Sequence, residues 1–282
     1  MVACSNFAPA RSKAAVDDVT DDLLRSTSVI LLANAAHYSA LNTRKRLVIS
    51  GRRSVEDELR FTALLLSEQQ AAKSSFLWHH RRWLMARIRE PLDPENLIAQ
   101  PKLSLSDVSA EVALANRACD RYPRNYFAWH HRQLCVVSAA ASSPSEQAIA
   151  FLENDLEEVR HWIGQHVGDH SAVHYVCNVL VTLRPHKTAF EKQSRATLSH
   201  ALSLLEIVPD HESLWLLLRR LLVTVPEDIQ VEFVEQLAGL QASSGGHGHV
   251  ELSQGRLHTL NHAERAAYWR ANIATPGDGN TE

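Results

Sequence analysis

Apolar residues recur at intervals of three and four through most of this chain, with polar residues between them. Over Glu56 to Gln70, Asp107 to Arg121, Gln147 to His166 and Arg195 to Ile207 the recurrence draws one apolar stripe along a helix. Each stripe gives way to residues that end one helix and cap the next: Ser74, Pro123 with Asn125, Gly168 with Asp169, and Pro209 with Asp210. Helix, short turn, helix is thus predicted several times in succession. No segment sustains the period-two alternation and hairpin turns of a sheet.

Self-comparison shows that these pairs are copies. SSFLWHHRRWL (Ser74 to Leu84) and RNYFAWHHRQL (Arg124 to Leu134) share a tryptophan followed by two histidines and an arginine: Trp78, His79, His80, Arg81 and Trp129, His130, His131, Arg132. With the tryptophan as a ruler, weaker copies place Leu41, His174 and Trp215 in the same column, Trp215 being followed by Arg219. The columns at 41, 78, 129, 174 and 215 are separated by 37, 51, 45 and 41 residues, a spacing that holds two helices and two connections. Within the second helix of a pair, Trp78 shares a face with Arg81, Arg82 and Met85. A large ring beside guanidinium groups fills volume and offers forked donors to carbonyls at neighbouring helix ends. Trp78, Trp129 and Trp215 are therefore expected in the core, and His80, Arg81, His131 and Arg132 in hydrogen bonds between repeats. The paired histidines are not expected to ligate a metal, because neighbours in sequence diverge around a helix and no HxxxH pair accompanies them.

Composition narrows the function classes. The chain has 282 residues, 45% hydrophobic and 22% charged, enough to bury a substantial core. Its formal net charge of −3 gives no global attraction to nucleic acid or anionic lipid. Cys4, Cys119, Cys135 and Cys177 lie far apart without a CxxC, as expected of reduced thiols in the cytoplasm. The apolar run Val29 to Ala36 is too short for a signal peptide or membrane span, and the final residues Gly279, Asn280, Thr281 and Glu282 form no prenylation box.

The unit Asn125, Tyr126, Ala128, Trp129, His130, His131, Arg132 resembles the repeat of protein prenyltransferase α-subunits, and the resemblance covers five units from about Ala36 to Val223. Glu58 to Trp83, Asp169 to Tyr175 and His211 to Trp215 resemble a narrower branch of that family more than the farnesyltransferase or Rab geranylgeranyltransferase α-subunits. Departures from the pattern are Leu41 for the first tryptophan, HYVCN in the fourth unit and Leu217 in place of the fifth histidine. The resemblance implies an all-α fold, a right-handed superhelical solenoid of antiparallel helical hairpins like that of tetratricopeptide proteins. It also implies a crescent wrapped around a β-subunit, of the Rab geranylgeranyltransferase type, that carries the catalytic Zn2+. No cofactor is then bound by this chain alone, and the Cys and His residues show no zinc-ligand spacing. The implied reaction moves a geranylgeranyl group from geranylgeranyl diphosphate to a cysteine thiol, near the C-terminus of a substrate protein. Thiolate formation at zinc and charge stabilisation on the departing diphosphate are its two requirements.

The same resemblance assigns residues. A lysine five positions before the second tryptophan reaches the diphosphate in the family, which here is Lys73; a solvated surface lysine is the alternative. Asn125 and Tyr126 carry over as contacts to isoprenoid diphosphate and peptide, although Asn125 is equally explained as a helix cap. Ser75 stands where related α-subunits have a tyrosine, which would widen the substrate channel.

The expected organisation is an acidic N-terminal arm (1–26), a helical-repeat domain (27–240), a Gly/Ser/His-rich linker (241–256), a candidate capping helix (257–274) and a tail (275–282). His247, His249, His258 and His262 surround the linker glycines, which lack the strand and helix context of a phosphate loop. Two other readings share the architecture: a non-catalytic scaffold that binds a peptide in its groove, and a regulator that binds the β-subunit without supporting turnover. Tetratricopeptide units run at 34 residues with small residues at fixed positions, whereas these run longer and carry Trp-His-His-Arg.

Overall fold

The computed structural model describes residues 13–88, 103–208 and 211–243. These form eleven α-helices and one short 3-10 turn, and no strand occurs among the described residues. The all-α expectation from the hairpin pattern therefore holds. Pro209, Asp210, His247, His249, His258, His262, the linker glycines and the segments 257–274 and 275–282 lie outside the described residues.

Two compact units divide the chain, with boundaries inside α5 (Leu105–Arg121) and α6 (Tyr126–Ala141). In the first, α1 (Lys13–Ala33) packs on α2 (Tyr38–Ile49), α3 (Val55–Leu65) packs on α4 (Ser75–Met85), and α2 meets α4. In the second, α7 (Ser145–Gln165) pairs with α8 (His170–Leu183), and α9 (Lys187–Ile207) pairs with α10 (Glu212–Leu222). There α7 also packs on α9 and α8 on α10, so first helices stack on first helices and second on second. A hairpin with one apolar stripe per helix needs such a neighbour to cover its remaining apolar surface. Helix α11 (Glu227–Ser243) continues the stack on α9 and α10.

The helix starts follow the cap residues. Ser74 Oγ accepts from Leu77 N at 3.3 Å, Asn125 Oδ1 from Ala128 N at 3.2 Å, and Asp169 Oδ1 from Ser171 N at 3.0 Å and Ala172 N at 3.2 Å. Each such cap is worth about 1 kcal/mol. The fifth second-helix differs: His211 stands at the cap of α10 and its side chain makes no capping bond.

Element bounds depart from the periodic pattern in two places. Helix α3 ends at Leu65 rather than continuing to Gln70, because Ser67 Oγ bonds back to the Leu64 carbonyl and the Glu68 carboxylate accepts from Ala71 N at 2.7 Å. Those bonds give the backbone an alternative to the helix and start the 3-10 turn Ala71–Lys73. Helix α9 begins at Lys187, eight residues before the apolar stripe, directly after Pro185 and His186.

The core partly redraws the tryptophan column. Trp78 and Trp129 are buried, as is Leu41. His174 is exposed and lies one position past the column, which is held by the buried Val173; the cap at Asp169 sets that phase. Trp215 is only half-buried, because the inward face of α10 is centred on Leu214, Leu217, Leu218 and Leu221. Arg219 is half-buried beside it.

Candidate functional site

Three residues beyond the column, Arg44, Arg81 and Arg132 are buried. Arg44 sets its Nε and Nη2 on the two oxygens of Glu58 at 2.7 and 2.8 Å, and its Nη1 on Thr27 Oγ1 and the Leu24 carbonyl, tying α1, α2 and α3 together. Arg81 donates to the Leu59 carbonyl and Thr62 Oγ1, both at 2.8 Å. Arg132 donates to Asp155 Oδ1 at 2.8 Å and to the Tyr175 hydroxyl at 3.3 Å, while that hydroxyl donates to Asp155 Oδ2 at 2.6 Å. Arg81 uses a helix carbonyl as expected, but these bonds stay within its own hairpin, whereas Arg44 and Arg132 reach the first helix of the next repeat. Glu58 and Asp155 are partners that the motif did not show, since each sits on a stripe whose period marks only apolar positions, and Tyr175 lies on α8 two positions past Val173.

His80 likewise reaches α3 of its own hairpin, where it meets Glu58. Burial would raise the Glu58 carboxyl, but bonds from His80 and Arg44 hold it below the usual carboxylate range. Burial lowers His80 against the opposing pull of Glu58, to which its Nε2 lies at 3.2 Å. The neighbouring His79 is exposed, so the pair does diverge around the helix. His131 is fully buried with its ring 4.8 Å from that of Trp78.

The assigned site residues gather at the starts of α4 and α6. The Ala72 carbonyl, in the 3-10 turn, accepts from Trp78 Nε1 at 2.7 Å and from Asn125 Nδ2 at 2.8 Å. One backbone oxygen therefore joins the column tryptophan of one repeat to the cap residue of the next. Asn125 is buried, and its amide is committed to Ala72 and to the Ala128 cap. Arg124 before it has φ of 59°, a left-handed conformation that costs a side-chain-bearing residue about 1–3 kcal/mol. That reversal directs Asn125 inward and leaves Tyr126, at the first position of α6, 54% exposed. The Tyr126 ring lies parallel to His130 at 5.7 Å and edge-on to Phe127 at 5.6 Å.

Lys73 follows Ala72 and is exposed. Its ammonium donates to the Tyr122 hydroxyl at 2.8 Å and stands 4.8 Å from the centre of that ring. Among the described residues it pairs with no carboxylate. A neutral phenol thus orients the cation without cancelling its charge, an arrangement suited to a phosphate oxygen. Tyr122 was missed by sequence reasoning. Its signal was its place before Pro123, which had been read only as a helix break. A further exposed pair, Tyr38 and Phe76, meets edge-on at 6.1 Å near the starts of α2 and α4.

Of the cysteines, Cys119, Cys135 and Cys177 are buried and form no disulfide. Among the described residues no helix is long and apolar enough to cross a membrane.

The family model described as protein prenyltransferase alpha subunit repeat matches residues 55–88 and 108–139. The first match spans α3 to just beyond α4, and the second most of α5 and α6. The chain is 30% identical over 162 residues to human protein prenyltransferase alpha subunit repeat-containing protein 1, covering 55% of this chain and 39% of that protein. Its counterpart from Danio rerio is 31% identical over 170 residues, 57% of this chain and 38% of that one. Geranylgeranyl transferase type-2 subunit alpha of Rattus norvegicus is 26% identical over 219 residues, 73% of this chain and 34% of that subunit. The matches span less than two fifths of the length of these relatives.

Proposed function

We propose that this chain, built from protein prenyltransferase alpha subunit repeats, is the α-type subunit of a heterodimeric protein prenyltransferase that moves a geranylgeranyl group from its diphosphate to a cysteine thiol. One observation carries the reading: Lys73, oriented by Tyr122 and free of any described carboxylate, stands at the helix start whose Ala72 carbonyl also fixes Asn125 ahead of the exposed Tyr126. Likeness to the type-2 geranylgeranyl transferase alpha subunits supports the choice of isoprenoid.

In this reading Lys73 meets oxygen of the diphosphate as the bond from the isoprenoid carbon to oxygen breaks and negative charge builds on the leaving group. An oriented cation stabilises that charge more than it does the ground state, so its effect falls on turnover. Asn125 acts by position, holding the Lys73 turn through Ala72, and Tyr126 offers a ring and a hydroxyl to the isoprenoid or peptide. Zn2+, which lowers the pKa of the accepting thiol, belongs in this reading to the β-subunit. Cys177 fits that division, because burial pushes its thiol up to about 12 and keeps it protonated. The working compartment is the cytoplasm.

Co-expression with a Rab geranylgeranyltransferase-type β-subunit tests the proposal. A stable heterodimer that transfers geranylgeranyl to a cysteine-bearing substrate is the expected result. A heterodimer without transfer leaves the regulator reading, and no complex at all leaves the scaffold.

A further inference from the structure

A second set of bases gathers around one ring, toward the far ends of α2 and α4. Trp83 is half-buried in the last turns of α4. Lys45 of α2 places its ammonium 5.3 Å from the Trp83 ring centre, and Arg87, just beyond α4, places its guanidinium carbon 3.8 Å from it. The His80 ring stacks on the same indole at 5.9 Å. Arg87 Nη1 donates to the Trp83 carbonyl at 2.7 Å, while its Nε is buried and has no hydrogen-bond partner.

What this cluster lacks is a counter-charge. Neither Lys45 nor Arg87 pairs with a carboxylate among the described residues. Glu58, the carboxylate that touches His80, already has both oxygens on Arg44. Burial and then the charge of Arg87 hold Lys45 below the ordinary lysine value. Burial and then Lys45, Arg82 and His80 do the same to His79. Every charged neighbour named for these two groups is a base. Partly desolvated like charges oppose one another, and the indole face offsets only part of that repulsion.

A helix C-terminus draws basic side chains by its dipole, which would account for Arg82 or Arg87 singly. It does not account for Lys45, which lies before the last turn of α2 yet sits on the same ring as Arg87. We infer that Lys45 and Arg87, arranged around Trp83, form a binding site for a phosphate-type oxyanion, separate from the Lys73 face. An ammonium and a guanidinium held on one indole supply two charge-assisted donors, and a phosphate dianion matches both charges where a single carboxylate matches one. The site is removed from Lys73 by the length of α4, roughly 15 Å at 1.5 Å per residue. It does not rest on the prenyltransferase reading.

Calorimetric titration of the full chain with inorganic phosphate and with inorganic diphosphate tests the inference, with the Trp83 indole resonance as a local reporter. Saturable binding that shifts that resonance is expected. Lys45→Met or Arg87→Met should weaken it about tenfold or more, as loss of a charge-assisted bond does, and Lys73→Ala should not. Circular dichroism on each variant checks that the fold is retained. Vesicles of phosphatidylcholine carrying a phosphoinositide separate the sources. Binding to them as well as to free phosphate assigns a lipid headgroup, and binding to free phosphate alone assigns a soluble phosphate ester; both support the site. Absence of binding by the parent chain overturns it. So does affinity unchanged by Lys45→Met and Arg87→Met, affinity lost with Lys73→Ala instead, or binding of a glutamate-rich peptide in place of phosphate.

Discussion

Replacing Arg132 with methionine keeps the aliphatic stem and removes the charge at the best-defined seam of the second unit. Arg132, Asp155 and Tyr175 are 2%, 3% and 1% exposed, so none of the three regains water when a partner is lost. In Arg132→Met the Asp155 carboxylate keeps its 2.6 Å bond from Tyr175 but loses its counter-charge. Breaking a buried pair from one side costs about 3–5 kcal/mol, whereas an exposed pair is worth about 0–1 kcal/mol. The burial decides which figure applies, and the 3.3 Å contact to the half-exposed Glu158 changes it little. Replacing all three, Arg132→Met with Asp155→Leu and Tyr175→Phe, also removes the uncompensated carboxylate and should recover part of the loss. Urea unfolding followed by far-ultraviolet circular dichroism measures both. A single variant within about 1 kcal/mol of the parent, or a triple variant less stable than the single one, would refute the reasoning.

Other outcomes use the same measurement. Trp129→Ala should cost about 3–5 kcal/mol and Trp215→Ala clearly less, because only the first is fully buried; equal losses would contradict the assignment of the α10 core to its leucines. Asn125→Ala removes the Ala128 cap and a donor to the Ala72 carbonyl, about 2 kcal/mol together, and a neutral result would argue against the shared-carbonyl junction. Stability should fall with acid. His80 and Glu58 both have folded-state pKa values below their ordinary values of 6.5 and 4.5, so each contributes stability above that value and loses it as pH drops toward the folded one. The melting temperature should decline first below about pH 6.5 and again below about 4.5, and His80→Gln should lessen the upper decline, to which His79, His174 and His200 also contribute. A flat profile between pH 7 and 4 would be inconsistent with both shifts.

The hairpin architecture was legible because a helix that buries one face must write its period into the chain, and because Ser74, Asn125 and Asp169 are cap residues in cap positions. The column failed at His174 and at Trp215 for different reasons. A motif fixes residue types, whereas the cap at Asp169 puts the buried Val173 in the column of α8, and α10 centres its buried face on leucines. The seam acids were hidden because a buried Glu or Asp looks like any polar residue until its arginine is placed beside it. At the candidate site, Lys73, Asn125 and Tyr126 were named from family likeness, yet the residue that orients Lys73, Tyr122, lies on the following helical repeat and is joined to it only by the fold. The bases around Trp83 come from α2 and α4, so no local motif could have grouped them.

Single-turnover geranylgeranyl transfer by the purified heterodimer, comparing the parent chain with Lys73→Ala, puts the proposed role to its sharpest test. Lys73 is exposed and among the described residues its ammonium bonds to Tyr122 alone, so the variant should fold and assemble normally while the rate of transfer falls with little change in peptide binding. An unchanged rate in a correctly assembled complex would remove Lys73 from the diphosphate, and with it the structural basis for assigning this chain a part in the chemistry.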